Sequence, residues 1–381
     1  MTTRFHHRRG LTLAVVGAVV GTVTAVGVGP VAASSPEYTS TVVATGLNNP
    51  RGVTVGANGR VYVAEAGLGS GNVQSGAALG LGNTGSITEI RRANTTTPRQ
   101  RVLIGGLPSA ANDEGQGPEV VGADGIYAVG SKHKVKLRVI IGAAGIPNSL
   151  YGHAVTVRVS SRTVKDIADV GSENLAWTGL HRNDPWAPAG QFPDSNPYGI
   201  GRAGGKLYVV DAGANTLNRI NSDGSVSIVA YFPNTAVSDA VPTCVAEGPD
   251  GALYIGTLAL ADFFATGPGA STVYRVDPNA TNPDSLDTVR QVATPWATGF
   301  STITGCTFDH EGNFYAAEMF ANDVVKVPFS HPTSGRTIIG TGVLTLPNGV
   351  AVASNGNLFV SNMSTDVTAG KGSVVRFSPS H

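Results

Sequence analysis

Six times along the chain, a position three residues after a strand-borne aromatic is filled in turn by Glu65, Gly130, Asp211, Thr257, Glu318 and Asn362. If the copies form blades around an axis, these positions share one rim. Glu65, Asp211, Glu318 and Asn362 would then offer hard oxygen ligands to Ca²⁺ or another divalent cation. An ion held there would polarise a carbonyl and acidify a bound water, leaving one carboxylate as base. The same residue types also have a structural use. An Asp followed by Asn and Arg, as in Asp211, Asn215 and Arg219, holds a turn through side-chain to backbone hydrogen bonds, and Glu318, Asn322 and Lys326 repeat the pattern loosely. Both readings stand at this level.

Other residues with chemistry to offer are fewer. Asp194, Ser195 and Asn196 precede the first strand of the third copy; Asp194 and Asn196 are candidate ligand-binding residues, with Asx turns before a proline as the alternative. His133, His153, His181, His310 and His331 are scattered, without the i, i+4 metal pair of a helix and without a GxSxG nucleophile elbow. His181 lies in a long insertion with Trp177, Trp186 and Phe192, aromatics expected to pack that loop down. No catalytic residue is assigned.

The elements that must position these residues come from the repeat itself. It reads PRGVTVGANGRVYVAEAG from Pro50, PEVVGADGIYAVGS from Pro118, PYGIGRAGGKLYVVDAG from Pro197, PTCVAEGPDGALYIGTL from Pro242, TGCTFDHEGNFYAAEM from Thr304 and PNGVAVASNGNLFVSNM from Pro347. Each copy is taken as two half-buried strands about a turn, and in most of them Asn-Gly, Asp-Gly or Glu-Gly supplies the positive φ that a tight turn requires. Further strands follow most copies. No long run with a 3.6-residue period separates them, which disfavours a parallel sheet with crossover helices. The expected fold is all-β: a six-bladed β-propeller occupying residues 34–381 as one domain. The last copy stops one strand short, while TSTVVATGL from Thr39 has no partner, so the N-terminal strand is expected to close the ring as the outer strand of the last blade. Long insertions fall at 67–85 and 142–197.

Cys244 occupies the register of Gly52, and Cys306 that of Val53, one residue later, in the first strands of adjacent blades. Strand side chains alternate between faces, so the two can point toward each other. A disulfide and a pair of buried thiols both fit.

Arg4, Arg8 and Arg9 precede an apolar stretch over 11–28 that ends in small residues, the order of a secretory signal peptide over 1–33 with cleavage after Ala33. Export favours oxidation of the cysteines. Equal totals of 26 Lys+Arg and 26 Asp+Glu argue against a nucleic-acid partner and against strong attraction to membranes, apart from a local patch. No stable membrane insertion is expected once the leader is removed.

The phrases DSNPYGI at Asp194, LYVVDAGANTLNRI at Leu207, VPTCVAEGPDGALYIG at Val241 and PRGVTVGANGRVYVAEAG at Pro50 resemble the ScyD/ScyE family of secreted, NHL-like β-propellers, over nearly the whole chain from about residue 38. KHKVKLRVIIGAAGIPNSLYGH from Lys132 and LHRNDPWAPAG from Leu180 depart from it. The resemblance implies the fold and an extracellular location, and no established activity. The expected function is a secreted binding or scaffold module whose rim loops grip a small molecule, polymer or protein. The alternative is a lactonase-like metal-dependent hydrolase, or a lyase, working at the channel mouth.

Overall fold

A computed structural model describes residues 37–70, 80–112, 119–146, 149–187, 193–233, 239–366 and 368–380. The expected leader and Phe192 lie outside them. Strand β1 (Tyr38–Leu47) precedes blade one, built from β2 (Pro50–Val55), β3 (Val61–Glu65), β4 (Gly80–Arg91), β5 (Arg99–Asn112) and β6 (Glu119–Val121). Blade two holds β7 (Ala123–Val129), β8 (Lys136–Ile141), β9 (His153–Arg158) and β10 (Thr163–Asp169), followed by helix α1 (Val170–His181). Blade three is β11 (Pro197–Ala203), β12 (Lys206–Asp211), β13 (Thr216–Ile220) and β14 (Val226–Tyr231). Blade four comprises β15 (Pro242–Glu247), β16 (Leu253–Thr257), helix α2 (Leu260–Thr266), β17 (Ser271–Val276), helix α3 (Leu286–Gln291) and β18 (Thr294–Phe300). Blade five is β19 (Ile303–Phe308), β20 (Asn313–Glu318), β21 (Asp323–Pro328) and β22 (Thr337–Ile339). In blade six, β23 (Val350–Val352), β24 (Leu358–Asn362) and β25 (Gly372–Pro379) are completed by β1, which pairs with β25 from Tyr38↔Pro379 to Leu47↔Gly372. The six-bladed ring and its closure by the N-terminal strand are as the repeat requires.

The repeated phrase has a physical reason at each step. Turn glycines Gly59, Gly251, Gly312 and Gly356 adopt φ of 71°, 75°, 86° and 80°, values that other residues reach only with strain. In five blades the second strand carries a buried aromatic, and in three of them its hydroxyl makes a hydrogen bond to the turn. Tyr62 Oη accepts from Asn58 Nδ2 (2.8 Å), while Tyr254 and Tyr315 donate to Asp250 (3.2 Å) and Asp309 (3.0 Å).

Glycines of the innermost strands set how closely neighbouring blades approach. A Cβ on Gly52, Gly125, Gly199, Gly305 or Gly349 would lie 2.7, 2.6, 2.5, 2.2 or 2.4 Å from a carbonyl oxygen of the next blade's innermost strand. The sixth position of this register is Cys244. It is bonded to Cys306 of the next blade, so the junction of blades four and five is covalent.

Blade two departs from expectation. Asp124-Gly125 is not its turn but lies inside the innermost strand β7, because Gly125 is needed where that strand meets Tyr198 and Ile200 of blade three. Glu119–Val121 forms the fifth strand of blade one, and the second strand of blade two is β8, within the stretch from Lys132 that departs from the resemblance. Register pairs Ala123 with Ile141, as it pairs Pro197 with Asp211, so the rim residue of blade two is Ile141 and not Gly130. Gly130, at φ 100°, instead ends β7 at the opposite face.

Candidate site in the central channel

The rim carboxylates are each occupied within their own blade. Glu65 accepts hydrogen bonds from the Asn48 amide (2.8 Å), Ser86 Oγ (2.9 Å) and Thr88 Oγ1 (2.6 Å). Asp211 accepts four, from Ser195 Oγ (2.6 Å) and the amides of Asn196 (2.7 Å), Gly213 (3.0 Å) and Ala214 (2.9 Å). Burial still pushes its pKa up to about 6 against the pull of those bonds. Glu318 accepts from the Ser301 amide (2.5 Å) and lies opposite Asp323 on β21; burial first, then that neighbouring carboxylate, raises its pKa. Asn362 Oδ1 accepts from the Thr345 amide (2.6 Å). Thr257 bonds both backbone polar groups of Thr272.

One device repeats: Asn48, Asn196, Ser301 and Thr345 each belong to the loop entering the same blade, and the rim residue fastens that loop to the second strand. Among the described residues, no three His, Cys, Asp or Glu side chains gather as a metal-holding group. Glu65, Asp211, Glu318 and Asn362 are therefore not gathered as the shared Ca²⁺ site expected of them; each serves the entering loop of its own blade.

Asp194 and Asn196 fasten the return from α1. Asp194 Oδ1 accepts from the Ser195 amide (2.8 Å), and its backbone N–H and carbonyl both meet Thr178 Oγ1 of α1 at 3.1 Å. Burial raises its pKa. Asn196 Oδ1 accepts from the Ala143 amide of blade two (2.9 Å). Trp177, His181 and Trp186 pack with Tyr231, with ring centroids 4.8 to 5.6 Å apart, and His181 is held by Asp184 (2.8 Å).

A different set of polar groups meets on the axis. The residues just before the register of close-approach glycines are Arg51, Asp124, Tyr198, Thr243, Thr304 and Asn348, one per blade. Thr243 and Thr304 are spent on carbonyls of the next blade, Ile303 (2.6 Å) and Pro347 (3.1 Å). The other four interact around and across the ring. Asn348 Nδ2 of blade six donates to Tyr198 Oη of blade three, the opposite blade, at 2.5 Å. Arg51 Nη2 donates to the Val120 carbonyl (2.7 Å), and its Nε lies 3.5 Å from Asp124 Oδ1.

Asp124 is 1% exposed, and neither of its oxygens receives a well-formed hydrogen bond; the Gly122 backbone and the Arg51 charge at 3.5 Å give its ionised form weaker support. Burial pushes its pKa up to about 7, against the Arg51 charge that favours ionisation. The cavity beside Asp124, Tyr198, Thr243, Thr304 and Asn348 measures about 60 Å³, enough for a few atoms. A Cβ at Gly142 would lie 2.2 Å from Asp124 Oδ2 and 3.1 Å from Asn196 Oδ1, so Asn196 borders this ring and the bare Gly142 gives the carboxylate room. Below the ring the channel opens into a second cavity of about 350 Å³, lined by the lower halves of the same strands.

The sequence reading missed this site, although its signal was present: the residue before the glycine register is polar in all six copies.

No protein-family model and no curated protein matches the chain. Solved structures do. A Bacteroides thetaiotaomicron protein of unknown function superposes with a TM-score of 0.55 at 11% identity, covering 89% of this chain and 75% of that one. A gluconolactonase from Xanthomonas campestris gives 0.52 at 11% identity, with 90% of each chain covered. Virginiamycin B lyase from Staphylococcus aureus gives 0.48 at 14%, covering 91% and 89%. The first two establish shared six-bladed propeller architecture and nothing of the chemistry.

Proposed function

We propose that this chain is a secreted, ScyD/ScyE-like binding propeller that grips the polar end of a small molecule with Arg51, Asp124, Tyr198 and Asn348 at the upper channel. The observation that carries the reading is Asp124, buried and without a hydrogen-bond donor in a ring of polar side chains that can both give and accept. A buried carboxylate without a donor costs stability, so a site that retains one is suited to a ligand that supplies it. Hydroxyl groups fit: each can donate to Asp124 and accept from Arg51 or Asn348. A cavity of about 60 Å³ admits one or two such groups and leaves the rest of the molecule at the mouth.

The test is the thermal midpoint of the full chain with D-gluconate, D-gluconolactone or glycerol. A probe at a hundredfold excess over its Kd adds about 2.7 kcal/mol, several degrees of midpoint. The expected result is an upward shift with at least one probe that Asp124→Asn removes. No shift with any of them, or a shift that Asp124→Asn leaves intact, overturns the reading.

A hydrolase or lyase at the same channel has one observation in its favour: Asp124 titrates near neutrality beside Tyr198 and Arg51, which suits proton transfer. That reading expects Asp124→Asn to abolish turnover of the lactone while binding persists.

A further inference from the structure

We infer that the lower face of blade two, opposite the rim of Glu65 and Asp211, is a binding surface for an anionic polysaccharide. Residues 123–169 carry seven Lys or Arg and three Asp, in a chain whose totals balance at 26 and 26. Lys132, Lys134, Lys136, Arg158, Arg162 and Lys165 are exposed, and among the described residues none of them makes an ion pair. The fold gains nothing from this arrangement. Antiparallel register sets Lys136 directly opposite Arg158, a like-charge pair that weakens a sheet. Arg138, half-buried next in line, has its Nε buried without a partner; burial and then the charge of Arg202 lower its pKa.

Two clefts flank these cations. The larger, of about 900 Å³ between blades two and three, is lined by Arg138, Lys165, Arg202 and Lys206. Asp166, hydrogen-bonded to His153 (3.0 Å), and Asp223, hydrogen-bonded to Ser225 (2.7 Å), also line it, so four cations face two carboxylates and the cleft keeps a positive excess. The smaller, of about 430 Å³ between blades one and two, is lined by Arg60, Arg101, Lys132, His133 and Arg162. Arg60 and Arg101 share the single buried carboxylate of Glu89 with Arg91, which leaves their group in positive excess. Guanidinium and ammonium groups spaced along two clefts and the ridge between them fit a chain bearing repeated sulfate or carboxylate groups. Apart from the His133 imidazole, no aromatic ring lines either cleft, so the stacking platforms of single-stranded nucleic-acid sites are missing.

The test is a titration of the full chain with a heparin oligosaccharide, a sulfated model of such a polymer, as a function of salt. Two variants remove exposed charges only: Lys165→Gln/Arg202→Gln/Lys206→Gln in the larger cleft and Lys132→Gln/Arg162→Gln in the smaller. Each is expected to bind about tenfold more weakly at ~0.1 M salt, with a shallower dependence of log Kobs on log salt. Lys371→Gln, on a loop of blade six, should match the parent. Absence of heparin binding at ~0.05 M salt, or cleft variants that bind as the parent does, would overturn the inference. Duplex DNA binding as tightly as heparin would overturn the assignment to polysaccharide. Asp124→Asn leaves these charges intact, so the result is independent of the channel reading.

Discussion

Asp211 and Asp124 are both aspartates of the upper half of the ring, and both are buried, at 0% and 1% exposure. Asp211 accepts four hydrogen bonds, and Asp124 accepts none. Burial raises both pKa values, to about 6 and about 7. Burial and a raised pKa therefore do not mark a functional carboxylate by themselves; its hydrogen-bond partners do. A carboxylate saturated by backbone amides is a fastening. One left unbonded on the axis, beside an arginine and a tyrosine, is available to what enters the channel.

The largest expected effect breaks the fastening. Asp211→Ala leaves four donors without a partner where blade three begins and should cost about 3 to 5 kcal/mol. Urea unfolding measures this directly, and a loss under about 1 kcal/mol would mean that the loop before Pro197 is held by something else. Next comes the junction where Cys244 stands in place of a close-approach glycine. The disulfide spans 62 residues, and loop entropy assigns such a bridge up to about 4 kcal/mol. Cys244→Ala/Cys306→Ala should lose about 2 to 4 kcal/mol, and its midpoint should then be indifferent to reductant while the parent's falls.

Acid-base titration separates the two aspartates more finely. Asp124 holds its proton to about pH 7 in the folded chain but only to about 4 when unfolded. Between those values the native state binds more protons than the unfolded state, so stability falls as pH rises, by on the order of 1 kcal/mol per unit. Its destabilising contribution is absent below about 4, grows through the window and is constant above about 7. Asp211 acts in the same sense up to about pH 6. Asp124→Asn removes only the first part, so unfolding free energies measured between about pH 4.5 and 6.5 should slope less steeply than the parent's. Equal slopes would show that Asp124 ionises normally and receives a donor the ring does not display.

The ring fold was legible because its cause is periodic: a glycine turn, an aromatic buried on the strand that follows it, and a strand short of a partner at each end of the chain. The disulfide was legible as one of two outcomes, from strand parity alone. Blade two was misread because Asp124-Gly125 has the composition of a hairpin turn. Only the next blade's backbone, close against Gly125, shows that this glycine serves packing within a strand. The rim carboxylates were found by type and spacing, but which donors saturate them depends on entering loops 15 to 17 residues earlier. Arg51, Asp124, Tyr198 and Asn348 were overlooked for the opposite reason. Their types differ from copy to copy, and only their shared register before the glycine unites them.

The smallest effect concerns the two residues first assigned to ligand binding. The Asp194 side chain accepts a single hydrogen bond, from the adjacent Ser195 amide, so Asp194→Ala should cost about 1 kcal/mol or less. Asn196→Ala removes the bond to Ala143 that ties blade three to blade two, and should cost about 1 to 2 kcal/mol. Because Asn196 borders Asp124, its loss should also diminish the midpoint shift produced by whichever of gluconate, gluconolactone or glycerol binds, whereas Asp194→Ala should leave that shift unchanged. If Asp194→Ala abolishes the shift and Asn196→Ala spares it, the ligand lies on the loop after α1, and the channel ring is a fastening like the rim.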